Sequence, residues 1–193
     1  MSNSPCILKD TSAGFQRVPI RDELFKHREI ECVGEIDAES VSSMILQLRY
    51  LQREAPEEEI TLYINSPGGE VSSGLALYDV MQAVSCPIRT VCVGMAASMG
   101  AILFLAGDRR DILPHARLML HDPLLPGGGG GSALHINSLA RDMMKVRQII
   151  ASIIAAHSGK SLDEVFAVTA ADTFFDAEEA VAFGLADNII HRL

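Results

Sequence analysis

The chain has 193 residues, of which 48% are hydrophobic and 21% charged, enough apolar side chain for one sizeable core and too much for a disordered protein. A formal net charge of −9 repels phosphate backbones and anionic lipid headgroups, so neither nucleic acid nor a membrane is an expected partner. The four cysteines form no C-x-x-C pair and no Cys/His cluster of zinc spacing, which favours reduced thiols in a cytoplasmic protein without metal or cofactor.

The N-terminal residues 1–22 are polar and contain a glycine and two prolines, so we expect an irregular, mobile segment ahead of one domain at 23–193. This start lacks the basic residues and the apolar run of a secretory signal. A run of 18 uncharged residues, 90–107, reaches the length of a transmembrane helix. Its β-branched beginning and its glycines favour instead a buried strand, turn and helix, with Cys86 and Cys92 in or beside the core.

Apolar periodicity then alternates between strands and helices. Helix 38–54 carries apolar residues at helical spacing behind Asp37, a possible N-cap, and Gly34 is expected to end the strand before it. Strands alternating with helices indicate βαβ units, a largely parallel sheet and right-handed crossovers, which is an α/β fold class. The predicted strands are 29–33, 60–65, 88–93 and 116–121, and the other helices predicted in this region are 71–84 and 98–106.

A long helix is predicted from a Ser132 cap to about His157. Its apolar stripe either binds a partner surface or packs on its own domain. Five consecutive glycines, 127–131, precede it and are expected to form a mobile loop. A last helix at 177–183 begins with a capping box and ends at a glycine. The stripe of the long helix consists of Ile136, Leu139, Met143, Val146, Ile150 and Ile153.

Ligands of an open parallel sheet bind outside the carboxyl ends of its strands. Three chemically useful groups follow such ends: the pair Gly68 and Gly69, then Ser98, then His121. A nucleophile, a general base and backbone donors are what a serine hydrolase needs. A histidine accepts the serine proton and returns it to the leaving group, and a glycine lets a backbone N–H approach a developing oxyanion.

Each of these residues also has a purely structural interpretation. Ser98 lies where an N-cap would lie, His121 is a plausible structural histidine at a strand end, and the glycine pair suits a plain turn. The chain contains no phosphate-binding loop of the G-x-x-x-x-G-K-[ST] or G-x-G-x-x-G type. The residues alone do not choose the acidic partner of the histidine among Asp108, Asp111, Asp122, Asp172 and Asp187.

Four strings of the sequence together resemble the proteolytic subunit of the Clp protease, a serine peptidase family. In family order they are YINSPGGEV at 63–71, GMAASMGAILFLAG at 94–107, LMLHDP at 118–123 and FFDAEEAVAFGLAD at 174–187. The resemblance covers about residues 30–190. It implies the crotonase-like ββα superfold and an ATP-independent serine endopeptidase that hydrolyses unfolded polypeptides and short peptides.

The same resemblance implies the roles of individual residues. The catalytic triad is Ser98, His121 and Asp172, and the oxyanion donors are the backbone N–H groups of Gly69 and Met99. Substrate adds as a strand between two edges. The residues implied for these edges are Gly68, Gly69, Glu70 and Val71 on one side and Pro123, Leu124 and Leu125 on the other.

The resemblance also implies an assembly. Two stacked heptameric rings of this chain, or mixed rings with a paralogue, are expected to interlock through a handle region at about 124–158. The N-terminal residues 1–22 would form the axial loops, and an AAA+ Clp unfoldase would supply folded substrates as unfolded chains. The alternatives are a structural or weakly active subunit of a mixed barrel and a crotonase-type acyl-CoA enzyme.

This chain departs from the family pattern at several positions. Asp122 replaces the glutamine that usually follows the catalytic histidine, and Ala171 replaces an arginine that many members use between rings. The stretch LLPGGGGGS at 124–132 replaces a glycine-glutamine pattern. These differences lie around the expected base, the expected acid and the handle.

Overall fold

A computed structural model of the chain describes residues 5–12, 14–124 and 131–193. The strands in these ranges are β1 (Cys6–Thr11), β2 (Gly14–Pro19), β3 (Glu29–Ile36), β4 (Ile60–Gly69), β5 (Ile88–Ala97), β6 (Arg109–Ile112), β7 (Arg117–Leu120), β8 (Thr173–Phe175) and β9 (Asn188–Ile189). The helices are α1 (Ile20–Lys26), α2 (Ala38–Glu54), α3 (Val71–Ala83), α4 (Met99–Leu105), α5 (Ala133–Ser158), α6 (Leu162–Thr169) and α7 (Ala177–Phe183).

The main sheet has seven strands. Five of them lie in the order β3-β4-β5-β6-β9, and all neighbours along this path are parallel. Strand β7 also pairs with β5 in parallel, beyond the end of β6, and β8 pairs antiparallel with β7. Helices α2, α3 and α4 lie in the connections between successive parallel strands. The predicted α/β class with a largely parallel sheet is confirmed.

Three strands extend beyond their predicted ends, and this extension positions the site. Gly34 does not end β3: it takes a φ of 86°, and the register with β4 shifts between Val33 and Glu35 before pairing resumes. Strand β4 continues through the glycine pair to Gly69, and β5 continues to Ala97. Hydrogen bonds to neighbouring strands hold these glycine-containing segments extended. The apolar periodicity of a single strand does not reveal this pairing.

The core lies between the sheet and its helices. All seven residues of α4 are buried, and Cys86 and Cys92 are buried as predicted. No helix within the described ranges is long and apolar enough to cross a membrane, and the uncharged run 90–107 falls in β5 and α4 as expected. Every buried side-chain nitrogen and oxygen of the described residues has a hydrogen-bond partner.

The N-terminal region is more regular than predicted. The expectation of irregular backbone at residues 1–22 is wrong for β1 and β2, which pair antiparallel from Cys6↔Pro19 to Thr11↔Gly14. The Lys9 ammonium contacts the Glu23 carboxylate and so joins this hairpin to α1. Strand β6 and helix α6 were not predicted, although α6 begins with a capping box formed by Ser161 and Glu164.

Helix α5 begins where the sequence predicts, because the Ser132 hydroxyl accepts a hydrogen bond from the His135 N–H. It ends at Gly159, which takes the left-handed conformation. The predicted loop at 127–131 lies outside the described residues except for Gly131. Helix α7 has the predicted capping box and ends at Gly184.

Candidate active site

Ser98 occupies the sharp turn between β5 and α4. Its backbone angles, φ 53° and ψ −123°, belong to a turn conformation that glycine normally adopts, at a cost on the order of 1–3 kcal/mol for other residues. Its N–H donates to the Met119 carbonyl at 2.9 Å, which ties the turn to β7. The Ser98 side chain makes no cap hydrogen bond, so the interpretation of this hydroxyl as an N-cap is wrong.

The glycine pair lies directly against this turn. A Cβ at Gly68 would come within 2.7 Å of the Ser98 Cβ and the Ala97 carbonyl oxygen, and a Cβ at Gly69 would overlap the backbone of Ile36. Both glycines also have positive φ, 97° and 155°. Any side chain at either position would therefore displace the turn at Ser98 or the neighbouring strand.

Two polar side chains fix the same strand ends. The Ser66 hydroxyl donates to the Gly34 carbonyl at 2.6 Å and accepts from the Gly68 N–H at 3.1 Å. The Asn65 carboxamide oxygen accepts from the Met95 N–H at 3.1 Å. Sequence reasoning missed these two positioning residues, although both stand in the string that ends β4.

His121 follows the end of β7 and faces Ser98. Its Nε2 lies 2.8 Å from the Ser98 Oγ, which is hydrogen-bond distance, and its Nδ1 lies 3.3 Å from the Asp172 Oδ1, which is long for an N–H···O bond. The imidazole is mostly buried, whereas the Asp172 carboxylate is 66% exposed. The three side chains therefore form a Ser-His-Asp line whose acid is the exposed end.

The other four candidate aspartates have different partners. Asp108 accepts from the Ile88 N–H, and Asp187 pairs with Arg110. The buried Asp111 carboxylate contacts two arginines on the sheet, at 2.7 and 2.9 Å. Asp122 pairs with Arg147 on α5 at 2.6 Å. Among the five aspartates, Asp172 is the one that faces the imidazole.

A small apolar pocket opens beside Ser98. Its cavity volume is only about 20 Å³, which is room for about one water molecule. Sequence reasoning did not place α5 at this pocket, because helical periodicity does not reveal which neighbour a stripe contacts. The pocket is lined by Val71, Ser98, Met99, Ile102, Leu120, His121, Pro123, Ile150 and Ile154.

The residues predicted to bind substrate fall on both sides of Ser98. Gly68 and Gly69 end β4, and the Glu70 carboxylate accepts from the hydroxyls of Ser73 and Ser72, which hold its pKa below the ordinary value. Val71 is not part of an extended segment, because it is the first residue of α3.

On the other side, Pro123 and Leu124 follow β7 and His121. Pro123 lines the pocket and Leu124 is 72% exposed. Leu125 lies outside the described residues.

A larger surface groove of about 1020 Å³ runs between α1, β3 and α2. None of the predicted catalytic residues lines it, so volume alone does not identify the reactive site. Within the described ranges no group of three or more His, Cys, Asp or Glu side chains could hold a metal ion.

A family model described as Clp protease matches residues 12–193. The match spans the hairpin strand β2, the turn at Ser98 and all of the described C-terminal region.

Proposed function

The chain belongs to the Clp protease family, whose members are serine peptidases that assemble as rings and act on proteins, and we propose that Ser98, His121 and Asp172 are its catalytic triad. The contact that carries this proposal is the 2.8 Å separation of Ser98 Oγ and His121 Nε2. Neutral imidazole at this distance takes the hydroxyl proton as Oγ attacks the peptide carbonyl, and later donates it to the leaving amine. A water then hydrolyses the acyl-enzyme by the same base.

Asp172 orients the imidazole and stabilises its positive charge. Its Oδ1 lies 3.3 Å from Nδ1, which favours the tautomer with a proton on Nδ1 and leaves Nε2 free to accept. Catalytic hydrogen bonds that are long in a free enzyme shorten in the reacting complex. The exposed position of this carboxylate allows such an adjustment.

Two backbone N–H groups are proposed to bind the oxyanion. The Glu70 N–H donates to the Ile36 carbonyl at 2.7 Å, and successive amides of an extended chain point to opposite edges, so the Gly69 N–H points away from β3. Met99 begins α4, and the N–H groups of a first helical turn have no partner within the helix. Such donors stabilise the charge that develops on the carbonyl oxygen.

Substrate is proposed to bind as an added strand. Gly68, Gly69 and Glu70 would form one edge, and the chain from Pro123 to Leu125 the other, with Val71 supplying a side chain to the pocket. Main-chain hydrogen bonds give affinity with little dependence on sequence, which suits a peptidase that cuts many proteins. The narrow apolar pocket favours an apolar residue before the scissile bond and has to widen to admit a large one.

The assembly is proposed to be two stacked heptameric rings, either of this chain alone or mixed with a paralogue, that receive unfolded chains from an AAA+ Clp unfoldase. The chain has no phosphate-binding loop, so it hydrolyses peptides without ATP and depends on its partner to unfold proteins. A folded, degradation-tagged substrate should be cleaved only when the unfoldase and ATP are added. Efficient cleavage by the peptidase alone would contradict a sequestered chamber.

The deciding experiment compares Ser98→Ala with Ser85→Ala, which alters an exposed serine far from the triad. Ser98→Ala should lose fluorophosphonate labelling and peptide hydrolysis and should keep its assembly, because only one oxygen is removed. Ser85→Ala should match the wild type. Hydrolysis by Ser98→Ala at the wild-type rate would refute the mechanism, and a wild-type chain that assembles without labelling would favour the structural subunit of a mixed barrel.

A further inference from the structure

Asp122, the residue after His121, has both carboxylate oxygens occupied on the side away from the nucleophile. Its Oδ1 accepts from the Thr169 hydroxyl at 2.9 Å, and its Oδ2 accepts from the Arg147 Nε at 2.6 Å. Its backbone N–H also donates to the Thr169 carbonyl at 2.8 Å. Asp122 therefore makes three hydrogen bonds, one with Arg147 on α5 and two with Thr169 at the end of α6.

Thr169 connects this network to the acid of the triad. It is the last residue of α6, it is only 3% exposed, and Asp172 follows it by three residues. The two hydrogen bonds between Asp122 and Thr169 thus join the segment that carries the imidazole to the segment that carries its carboxylate partner. A shift of either segment would change the 3.3 Å contact between His121 and Asp172.

Arg147 anchors the network to α5. Its side chain is 26% exposed, and its guanidinium lies 4.1 Å from the centroid of the Phe166 ring, a cation–π contact. One turn further along α5, Ile150 is buried against the core. A planar guanidinium fixed by a ring and a carboxylate is a rigid support, and its hydrogen bond is charge-assisted.

We propose that Asp122, Arg147 and Thr169 are positioning residues that hold His121 and Asp172 at their reacting separation, an inference that rests on the proposed triad. The three residues touch neither Ser98 nor the pocket beside it; they act by fixing the two segments relative to each other. Misplacement of a catalytic group by about 1 Å costs as much as 100-fold in rate, so the network controls turnover rather than substrate binding.

The sharpest test uses Thr169, which offers an isosteric pair. Thr169→Val keeps the buried volume and removes the hydroxyl that donates to Asp122, whereas Thr169→Ser keeps the hydroxyl. In the fully assembled protein, Thr169→Val should lower kcat on a short fluorogenic peptide by about 10- to 100-fold and leave KM nearly unchanged. Thr169→Ser should recover most of kcat, which loss of packing alone would not predict.

The charge pair is tested by a double-mutant cycle of Asp122→Asn and Arg147→Gln. Either change should lower kcat, and the double variant should be no slower than the slower single variant, because both act through one contact. The control is Glu31→Gln, which breaks the surface pair with Arg21 outside α5 and outside the network and should leave kcat unchanged. Because the Arg147 side chain is partly exposed, its variant keeps the test decisive if a Thr169 variant fails to fold.

Hydrogen exchange separates this inference from the proposed mechanism. The peptide that spans 119–124 should exchange faster in Thr169→Val than in Thr169→Ser. Loss of the hydroxyl bond to the Asp122 carboxylate loosens the segment, and the remaining bond from the Asp122 N–H to the main-chain carbonyl of residue 169 then opens more often. Activity that persists in Ser98→Ala would refute the triad and leave this exchange result to judge the network. Wild-type kcat in both Thr169→Val and Arg147→Gln, with activity still dependent on Ser98, would overturn the inference.

Discussion

In the C-terminal half of α5, residues 146–158, Ile150 and Ile154 are 6% and 1% exposed and line the pocket beside Ser98. In the N-terminal half, residues 133–145, Leu134 and Ile136 are 85% and 49% exposed. The apolar periodicity continues across both halves. One half packs on its own domain, and the other leaves Leu134, Ile136 and Met144 exposed.

This contrast assigns each half its own task. The buried half contributes to the candidate site, because its side chains line the pocket next to Ser98. The exposed half presents these apolar side chains to solvent, where a partner surface would bury them. We propose that ring assembly, which the family implies, buries these side chains between subunits. The structure bears out packing on the domain itself for the C-terminal half of the stripe, and a partner surface for the N-terminal half stays a prediction.

The largest expected effect is loss of the fold from a charge in the buried half. Ile154→Asp would place a carboxylate where the side chain is 1% exposed, and should destabilise the protein by more than about 4 kcal/mol. The matched change Ile136→Asp, in the exposed half, should leave a folded subunit. Urea unfolding followed by circular dichroism measures both. Equal unfolding midpoints for the two variants would contradict the division of α5.

The second prediction concerns assembly. Ile136→Glu should weaken ring association by about 2 kcal/mol or more, because an apolar contact becomes a buried charge, while the circular dichroism spectrum stays that of the wild type. Asn137→Glu, one residue further along the helix, is the polar-face control and should assemble. Light scattering after size exclusion gives the particle mass. A wild-type protein that is strictly monomeric and fully active would refute the proposal that ring assembly buries the exposed half of α5.

The third prediction concerns the end of the buried half. Gly159 and Gly184 both end helices with positive φ, 71° and 89°, but a Cβ at Gly159 meets open space while one at Gly184 overlaps the carbonyl of Ser158. Gly159→Ala should cost about 1 kcal/mol from backbone strain alone. Gly184→Ala should cost about 3 kcal/mol, since the α5 terminus must also move. Thermal unfolding of the two variants side by side measures the difference.

How far the fold could be predicted depends on whether its determinants are local. Helix α2 has its predicted ends, because the Asp37 cap and the apolar spacing are both within the segment. The ends of β3 at Ile36 and of β4 at Gly69 could not be predicted, since pairing with a neighbouring strand carries β3 past Gly34 and β4 through Gly68. The capping box of α6, Ser161 with Glu164, was a local signal that could have been used.

The same distinction between local and tertiary determinants applies to the candidate site. Ser98 and His121 could be found from the sequence because both follow strands that end at one edge of a parallel sheet. The acid could not be chosen among five aspartates by residue type, and Asp172 was chosen by family resemblance. The interpretation of the glycine pair as a plain turn ignored Ile36 and Ser98, which leave no space for a side chain there. The contribution of α5 to the pocket is purely tertiary.

The smallest expected effect is a dependence of stability on pH that originates in the buried half. His157 lies 2.9 Å from the Tyr78 hydroxyl, and burial lowers its pKa below the ordinary 6.5, as does the Arg110 guanidinium, while Asp108 opposes them. As the pH falls through 6.5, the unfolded chain binds a proton that the folded chain binds less readily, so the unfolding free energy decreases. At pH 8 the imidazole is neutral in both states and contributes no such loss.

His157→Gln should therefore remove part of the decrease in unfolding free energy between pH 8 and pH 5. Urea unfolding across this range, in the Ile136→Glu background so that assembly does not contribute, measures it. An unchanged slope would show that the imidazole is not desolvated in solution.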